Sequence, residues 1–226
     1  MNKTQRTELV FILDKSGSMS GLERDTIGGF NLMLKQQKAQ PGECVVTTVL
    51  FDTNYELLHD RIDIRAVSPL TDADYRVGSC TALLDAIGMT IGKIETAQNN
   101  TAREYRADKV MFVIITDGEE NASREYSARQ IKKSIERLKR CCDWEFVFLG
   151  ANIDAVETAG RFGIDADRAI DYVPDGAGTE LNFRAVSNAV CSLRSCGEVS
   201  AECFDEIRED MRQRGGRGGR GGHRRS

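Results

Sequence analysis

Two carboxylates and three hydroxyls, spread over three short segments, have the types and spacing of a site for a hard divalent cation. The first segment is Asp14-Lys15-Ser16-Gly17-Ser18, directly after the apolar run Leu9-Val10-Phe11-Ile12-Leu13. The second is Gly78-Ser79-Cys80-Thr81-Ala82, and the third is Thr116-Asp117-Gly118, directly after Val110-Met111-Phe112-Val113-Ile114-Ile115. Magnesium takes oxygen ligands in near-octahedral geometry and usually keeps several waters. Ser16, Ser18 and Thr81 offer hydroxyl oxygens, and Asp14 and Asp117 offer carboxylates that bind directly or through water. Manganese and calcium are the alternatives. No His lies in these segments and Cys80 is their only thiol, which disfavours zinc and copper. Open coordination positions beside two carboxylates suit an incoming carboxylate from a partner. The chemistry offered is binding, with no catalytic step implied.

The elements that must position these residues read as an alternating α/β chain. Short runs rich in Val, Ile and Phe, bounded by turn residues, are buried strands of a parallel sheet. Asp14 and Asp117 each stand at the carboxyl end of such a run. Ligands of open α/β sheets bind at that end, where the strand order switches. Thr81 opens a helix whose apolar face is Leu83, Leu84, Ile87, Ile91 and Ile94. The expected strands are 7–13, 44–51, 55–59, 109–115, 144–149 and 169–173. The expected helices are 22–37, 81–96, 127–140 (opened by a Ser127/Gln130 capping box), 155–162 and 179–193. The fold class is a doubly wound, mostly parallel sheet with one antiparallel edge strand. The segment Glu119-Glu120-Asn121-Ala122-Ser123 reads as a solvated acidic loop, and Asn152 and Asp154 either line the same face or cap the next helix.

Asp14-x-Ser16-x-Ser18, Thr81 and Thr116-Asp117-Gly118, in that order, resemble the metal-ion-dependent adhesion site (MIDAS) of von Willebrand factor A domains. The resemblance spans roughly residues 7 to 193, and all five positions agree with the family pattern. It implies a Rossmann-like fold in which Ser16, Ser18 and Thr81 contact the metal and Asp14 and Asp117 act mainly through water. Taken singly, Ser-Gly-Ser is ordinary turn chemistry and a strand-end Asp is an ordinary helix cap. Together the three segments favour the metal site. More narrowly, the chain resembles stand-alone intracellular bacterial A-domain proteins, some of which accompany tellurite-resistance-type systems.

Composition bounds the rest. At 226 residues, 40% hydrophobic and 29% charged, the chain suffices for one α/β domain, expected at 1–195, with a charged linker or exposed helix at 196–211 and a tail at 212–226. No apolar run approaches the roughly 20 residues of a membrane helix. Only six residues precede the first expected strand, so no signal peptide is expected. The seven cysteines, an odd number, read as reduced thiols of a cytoplasmic protein, buried or incidental.

The tail carries Arg-Gly-Gly three times, from Arg214, Arg217 and Arg220, then His223-Arg224-Arg225. It cannot bury a core and is expected to be disordered. It holds six arginines and no acid, so residues 1–211 hold 25 basic against 35 acidic residues, a balance of −10. Arg214, Arg217, Arg220, Arg224 and Arg225 are candidate RNA contacts, weak and salt-sensitive, because arginine pairs with phosphate and stacks on bases. A ribonucleoprotein role is therefore the alternative reading.

Catalysis is the weakest class, with a metal-dependent hydrolase as its best form. Haloacid-dehalogenase-like phosphatases place a second acid two residues beyond a strand-end Asp, but here Ser16 stands at that position. Neither a P-loop nor a GxGxxG turn occurs. Of the two histidines, His59 lies in the expected hairpin and His223 in the tail. The expectation is a non-enzymatic, metal-dependent protein-binding module.

Overall fold

The computed structural model describes residues 5–214. Six strands form one sheet: β1 (Arg6–Asp14), β2 (Glu43–Phe51), β3 (Tyr55–Asp63), β4 (Lys109–Thr116), β5 (Glu145–Gly150) and β6 (Ala169–Asp171). Their spatial order is β3-β2-β1-β4-β5-β6. All pairs are parallel except β2–β3, a hairpin that puts the antiparallel strand at the edge. The helices are α1 (Glu23–Lys38), α2 (Leu83–Asn100), α3 (Ala128–Cys142), α4 (Ala155–Arg161), α5 (Gly176–Cys196) and α6 (Asp205–Arg214).

Alternation along each strand divides the core in two. Leu9, Phe11 and Leu13 of β1 join Met111, Val113 and Ile115 of β4 beneath α1, α5 and α6. Val10 and Ile12, with Phe112 and Ile114, face α2, α3 and α4. Central strands buried on both faces explain the unbroken apolar runs. α1 and α5 pack closely enough that glycine is required at position 29. A Cβ there would lie 2.3 Å from Cδ2 of the buried Phe183 ring. Gly29→Ala is expected to cost about 1–3 kcal/mol by overpacking, read as a lower urea midpoint with an unchanged denaturant slope.

The expected strands and helices occur in the expected order, and the Ser127/Gln130 capping box is present. The C-terminal segment differs. Residues 196–211 are not a free linker: α6 docks on α5 and β6, and Phe204 and Ile207 are buried in the α1/α5 core. Two apolar residues three apart, among many charges, carry too little periodicity to show a buried face. α6 also runs through Arg214, inside the expected tail. There Arg214 Nη1 meets Asp175 Oδ2 at 2.5 Å, and Nη2 meets Asp210 Oδ2 at 2.5 Å. Two carboxylates hold this guanidinium. Arg217, Arg220, Arg224 and Arg225 lie outside the described residues. No helix among the described residues is long and apolar enough to cross a membrane.

Candidate metal centre

The chain runs outward from β1 to β2 and β3, then crosses back to β4 beside β1. The switch point therefore lies between the carboxyl ends of β1 and β4, where ligands bind in this architecture. Leu13 pairs with Ile115, so Asp14 and Thr116 end adjacent strands. Thr116 Oγ1 donates to Asp14 Oδ2 at 2.5 Å, and the Ser16 amide donates to Asp14 Oδ1 at 2.6 Å. The Asp14 carboxylate thus braces both loops. Ser16 Oγ and Ser18 Oγ are 3.1 Å apart.

Backbone bonds lace the Thr81 loop to the first. Gly78 N donates to Lys15 O at 2.7 Å and Gly17 N to Ser79 O at 2.9 Å, while the Lys15 amide donates to the carbonyl of Phe51, the last residue of β2, at 2.7 Å. A Cβ on Gly118 would lie 2.9 Å from Ser18 Oγ and 3.6 Å from Thr81 Oγ1. The hydroxyls of the first and second loops therefore converge on the third. Asp14, Ser16, Thr81 and Asp117 are buried, while Ser18 is exposed.

Sequence reasoning missed the residues that hold this arrangement. The buried Tyr75 hydroxyl donates to the Asp14 carbonyl; its signal was a lone aromatic in the polar loop 71–78. Glu119 and Asn121 of the 119–123 loop are exposed, as expected of a solvated loop, but the loop also acts as a clamp. Asn121 Oδ1 accepts from the Thr81 amide at 2.9 Å, and Asn121 N returns a bond to Thr81 O at 3.1 Å. The Glu120 carboxylate accepts from Leu84 N at 2.9 Å, in the first turn of α2, and from Ser123 N at 2.7 Å. Asp85 accepts from the amides of Arg124, Glu125 and Tyr126 at 2.8–2.9 Å. Acids near a helix N-terminus offset its unpaired N–H groups, and that is where these acids are spent. Asp154 caps α4 through Glu157 N at 2.8 Å, whereas Asn152 reaches the site's edge, its Nδ2 donating to the Asp117 carbonyl at 3.4 Å.

The electrostatics favour a cation. Burial pushes the Asp14 carboxyl up to about 6, against the hydrogen bonds from Thr116 and Ser16, and the Asp117 charge adds to the rise. Burial also raises Asp117, opposed by the Ser18 hydroxyl. Asp117 Oδ1 is buried with no hydrogen-bond partner among the described residues. A buried, orphaned carboxylate oxygen costs free energy unless a cation or water meets it. Among the described residues no three His, Cys, Asp or Glu side chains cluster as metal ligands. A cation here must therefore draw on hydroxyl oxygens, the donor type suited to magnesium. The residues fit the group: Ser16, Ser18 and Thr81 would hold it, with Asp14 and Asp117 supplying charge.

Protons and metal then compete for Asp14. The metal-free fold raises this carboxyl above its ordinary 3.8, so metal-free stability rises as pH falls through about 6 toward 4. Cation affinity runs the other way. Calorimetric titration with magnesium is expected to show affinity about tenfold weaker at pH 5 than at pH 7. Equal affinities would rule out Asp14 as a contributor.

The fold matches solved structures over most of the chain. A von Willebrand factor type A protein from Catenulispora acidiphila superposes with a TM-score of 0.56 at 15% identity, covering 82% of this chain and 42% of that one. The fold is that of a von Willebrand factor A domain. Proximal thread matrix protein 1 from the mussel byssus, with a zinc-occupied MIDAS motif, gives 0.56 at 14% identity, covering 83% and 46%. A mutant of the PilB minor pilin from Streptococcus sanguinis gives 0.60 at 10% identity, covering 86% and 64%. This chain thus spans between two fifths and two thirds of the length of those chains. No protein-family model and no curated protein sequence matches it.

Other concave places in the domain are less suited to chemistry. A cavity of about 170 Å³ lies at the opposite end of β5. Its charges are already matched, Lys139 with Asp165 at 2.5 Å and Arg168 with Glu145 at 3.3 Å. All seven cysteines are free; Cys44 is buried and Cys80, next to Thr81, is exposed.

Proposed function

We propose that this A domain is a divalent-metal-dependent protein-binding module in which a partner Asp or Glu completes the metal's coordination. The observation that carries this reading is the convergence of Asp14, Ser16, Ser18, Thr81 and Asp117 at the switch point, with Asp117 Oδ1 buried and unpaired. The bound cation would supply attraction for a carboxylate. The chain supplies neutral hydroxyls that leave the metal's charge largely uncancelled, and loops that hold them. Magnesium is the ion proposed, on the donor set, and the zinc-occupied MIDAS of the mussel protein supports a divalent ion in such a site. Binding rather than catalysis is proposed because the two carboxylates and three hydroxyls of the cluster are the oxygen donors that the cation itself requires. His59 is buried within β3, where burial lowers its pKa. Seven free thiols suit a reducing compartment, in keeping with the cytoplasmic setting expected for stand-alone A-domain proteins.

The test is affinity capture from cell extract with and without EDTA, using the wild type, Asp117→Asn, and a chain ending at Arg214. Partners retained in magnesium, released by EDTA and absent from Asp117→Asn support the reading. Capture indifferent to metal defeats it. The shortened chain addresses the ribonucleoprotein alternative, which rests on the arginines beyond α6. RNA recovered with the full chain and lost with the shortened one would favour that alternative.

A further inference from the structure

Directly beside the metal cluster, a crevice of about 210 Å³ runs along the start of α2. Ala82, the residue after Thr81, stands at its upper end. Ala86 and Met89 continue its wall down two helical turns, and Tyr55, at the start of β3, faces them. At 1.5 Å per residue, Met89 lies about 10 Å along the helix from Ala82. Met89 is one of four large hydrophobic side chains exposed among the described residues. The two ionised groups in the lining are both acids, Asp85 and Glu125, and no basic residue lines it. Asp85 is engaged by backbone amides. Glu125 is exposed, and its side chain makes no hydrogen bond or ion pair among the described residues.

We propose that this crevice receives a lysine or arginine side chain of the partner, close in sequence to the acidic residue that meets the metal. The occupant follows from the lining. Alanine, methionine and tyrosine side chains take the methylene stem, which such residues bury readily while the head stays near water. The Tyr55 ring and the unpaired Glu125 carboxylate attract the cationic head. An aspartate or glutamate would meet two like charges, and a purely apolar side chain would leave Glu125 unanswered. An extended peptide advances about 3.3 Å per residue, so a basic residue within about three positions of the metal-bound acid reaches the crevice. The recognised motif is therefore a mixed-charge segment. The metal selects its acid and the crevice its base, and neither pocket alone distinguishes the motif from ordinary acidic surface.

This inference rests on the metal-dependent reading above, and one experiment separates the two. Random dodecapeptides displayed on phage are selected on the immobilised full chain in magnesium and eluted with EDTA, in parallel on wild type and Glu125→Lys. Selected sequences are then synthesised for affinity measurement. The expected result is that wild-type clones carry an acid with Lys or Arg within three positions, and that Glu125→Lys clones keep the acid without the base. Replacing the base by norleucine should weaken binding to wild type about tenfold and leave binding to Glu125→Gln nearly unchanged. Clones that depend on metal and carry an acid but no neighbouring base overturn the crevice and leave the metal reading standing. Absence of EDTA-eluted clones overturns both. Glu125 is exposed and lies outside the metal cluster, so both variants should fold as the wild type does.

Discussion

Saturating magnesium is expected to raise the midpoint of thermal unfolding by about 5–10 °C, and Asp117→Asn is expected to abolish that rise. A ligand that binds only the folded state at about a hundred times its dissociation constant stabilises by about 2.7 kcal/mol. For a domain of this size each kcal/mol corresponds to about 2–4 °C. The choice of residue matters. Asp14 accepts from Ser16 N and Thr116 Oγ1, so removing it strands two buried donors and confounds metal loss with misfolding. Asp117 carries an oxygen that nothing among the described residues satisfies and a charge that burial disfavours. The isosteric amide keeps the shape and removes that charge. Asp117→Asn without metal should therefore be at least as stable as metal-free wild type. Differential scanning fluorimetry with magnesium, then EDTA, reads both effects. A magnesium-induced rise that survives in Asp117→Asn would place the cation elsewhere.

Arg61→Ala is expected to lower stability by about 3 kcal/mol, for a reason unrelated to the metal. Glu8 stands in β1, a central strand, and is fully buried, while Arg61 on the neighbouring hairpin is 26% exposed. The guanidinium holds the carboxylate with both Nε, at 2.8 Å, and Nη2, at 3.3 Å. Gln98 of α2 donates to the same carboxylate. The β2–β3 register is irregular here, and Arg61 takes a left-handed backbone with φ of 50° that turns it inward over Glu8. Breaking a buried pair from one side leaves an uncompensated charge, at a cost of about 3–5 kcal/mol. The lower figure applies because Gln98 remains and Arg61 is partly wet. Burial raises the Glu8 pKa even with Arg61 in place, and the variant raises it further. Protonation relieves an acid whose folded pKa is raised, so the deficit should be largest near neutral pH and shrink as pH falls toward 4.5. Adding Glu8→Gln should recover part of the loss. Urea titrations at pH 5 and pH 8 measure all of this. A deficit independent of pH would mean that packing, not charge, is what Arg61 contributes.

The fold was legible because its signals are local. Val10-to-Leu13 and Val110-to-Ile115 are apolar runs closed by turn residues, and a strand buried on both faces has no other way to look. The capping box at Ser127 and Gln130 needs only four residues to declare itself. A helix was one of two readings for 196–211, but its docked face was hidden, because Phe204 and Ile207 are buried by a surface that α5 and β6 create. The clamping role of the acidic loop was hidden for a related reason. Glu120 and Asn121 look solvated in sequence, but the amides they accept from, Leu84 and Thr81, lie some forty positions earlier in the chain.

By itself the sequence determined the five oxygen-bearing residues, the strands they follow and the α/β class. Residue type sets ligand chemistry, and local periodicity sets secondary structure. The tertiary structure decided that β1 and β4 lie side by side, the contact that brings Asp14 and Asp117, expected in one site, to adjacent strand ends. It alone decided which acids line the strand-end cluster and which cap helices, which carboxylate oxygen has no partner among the described residues, and that an acid-lined crevice opens beside Thr81. Those are outcomes of strand order and loop packing, which depend on contacts far apart in the chain and leave no mark in any short stretch of it.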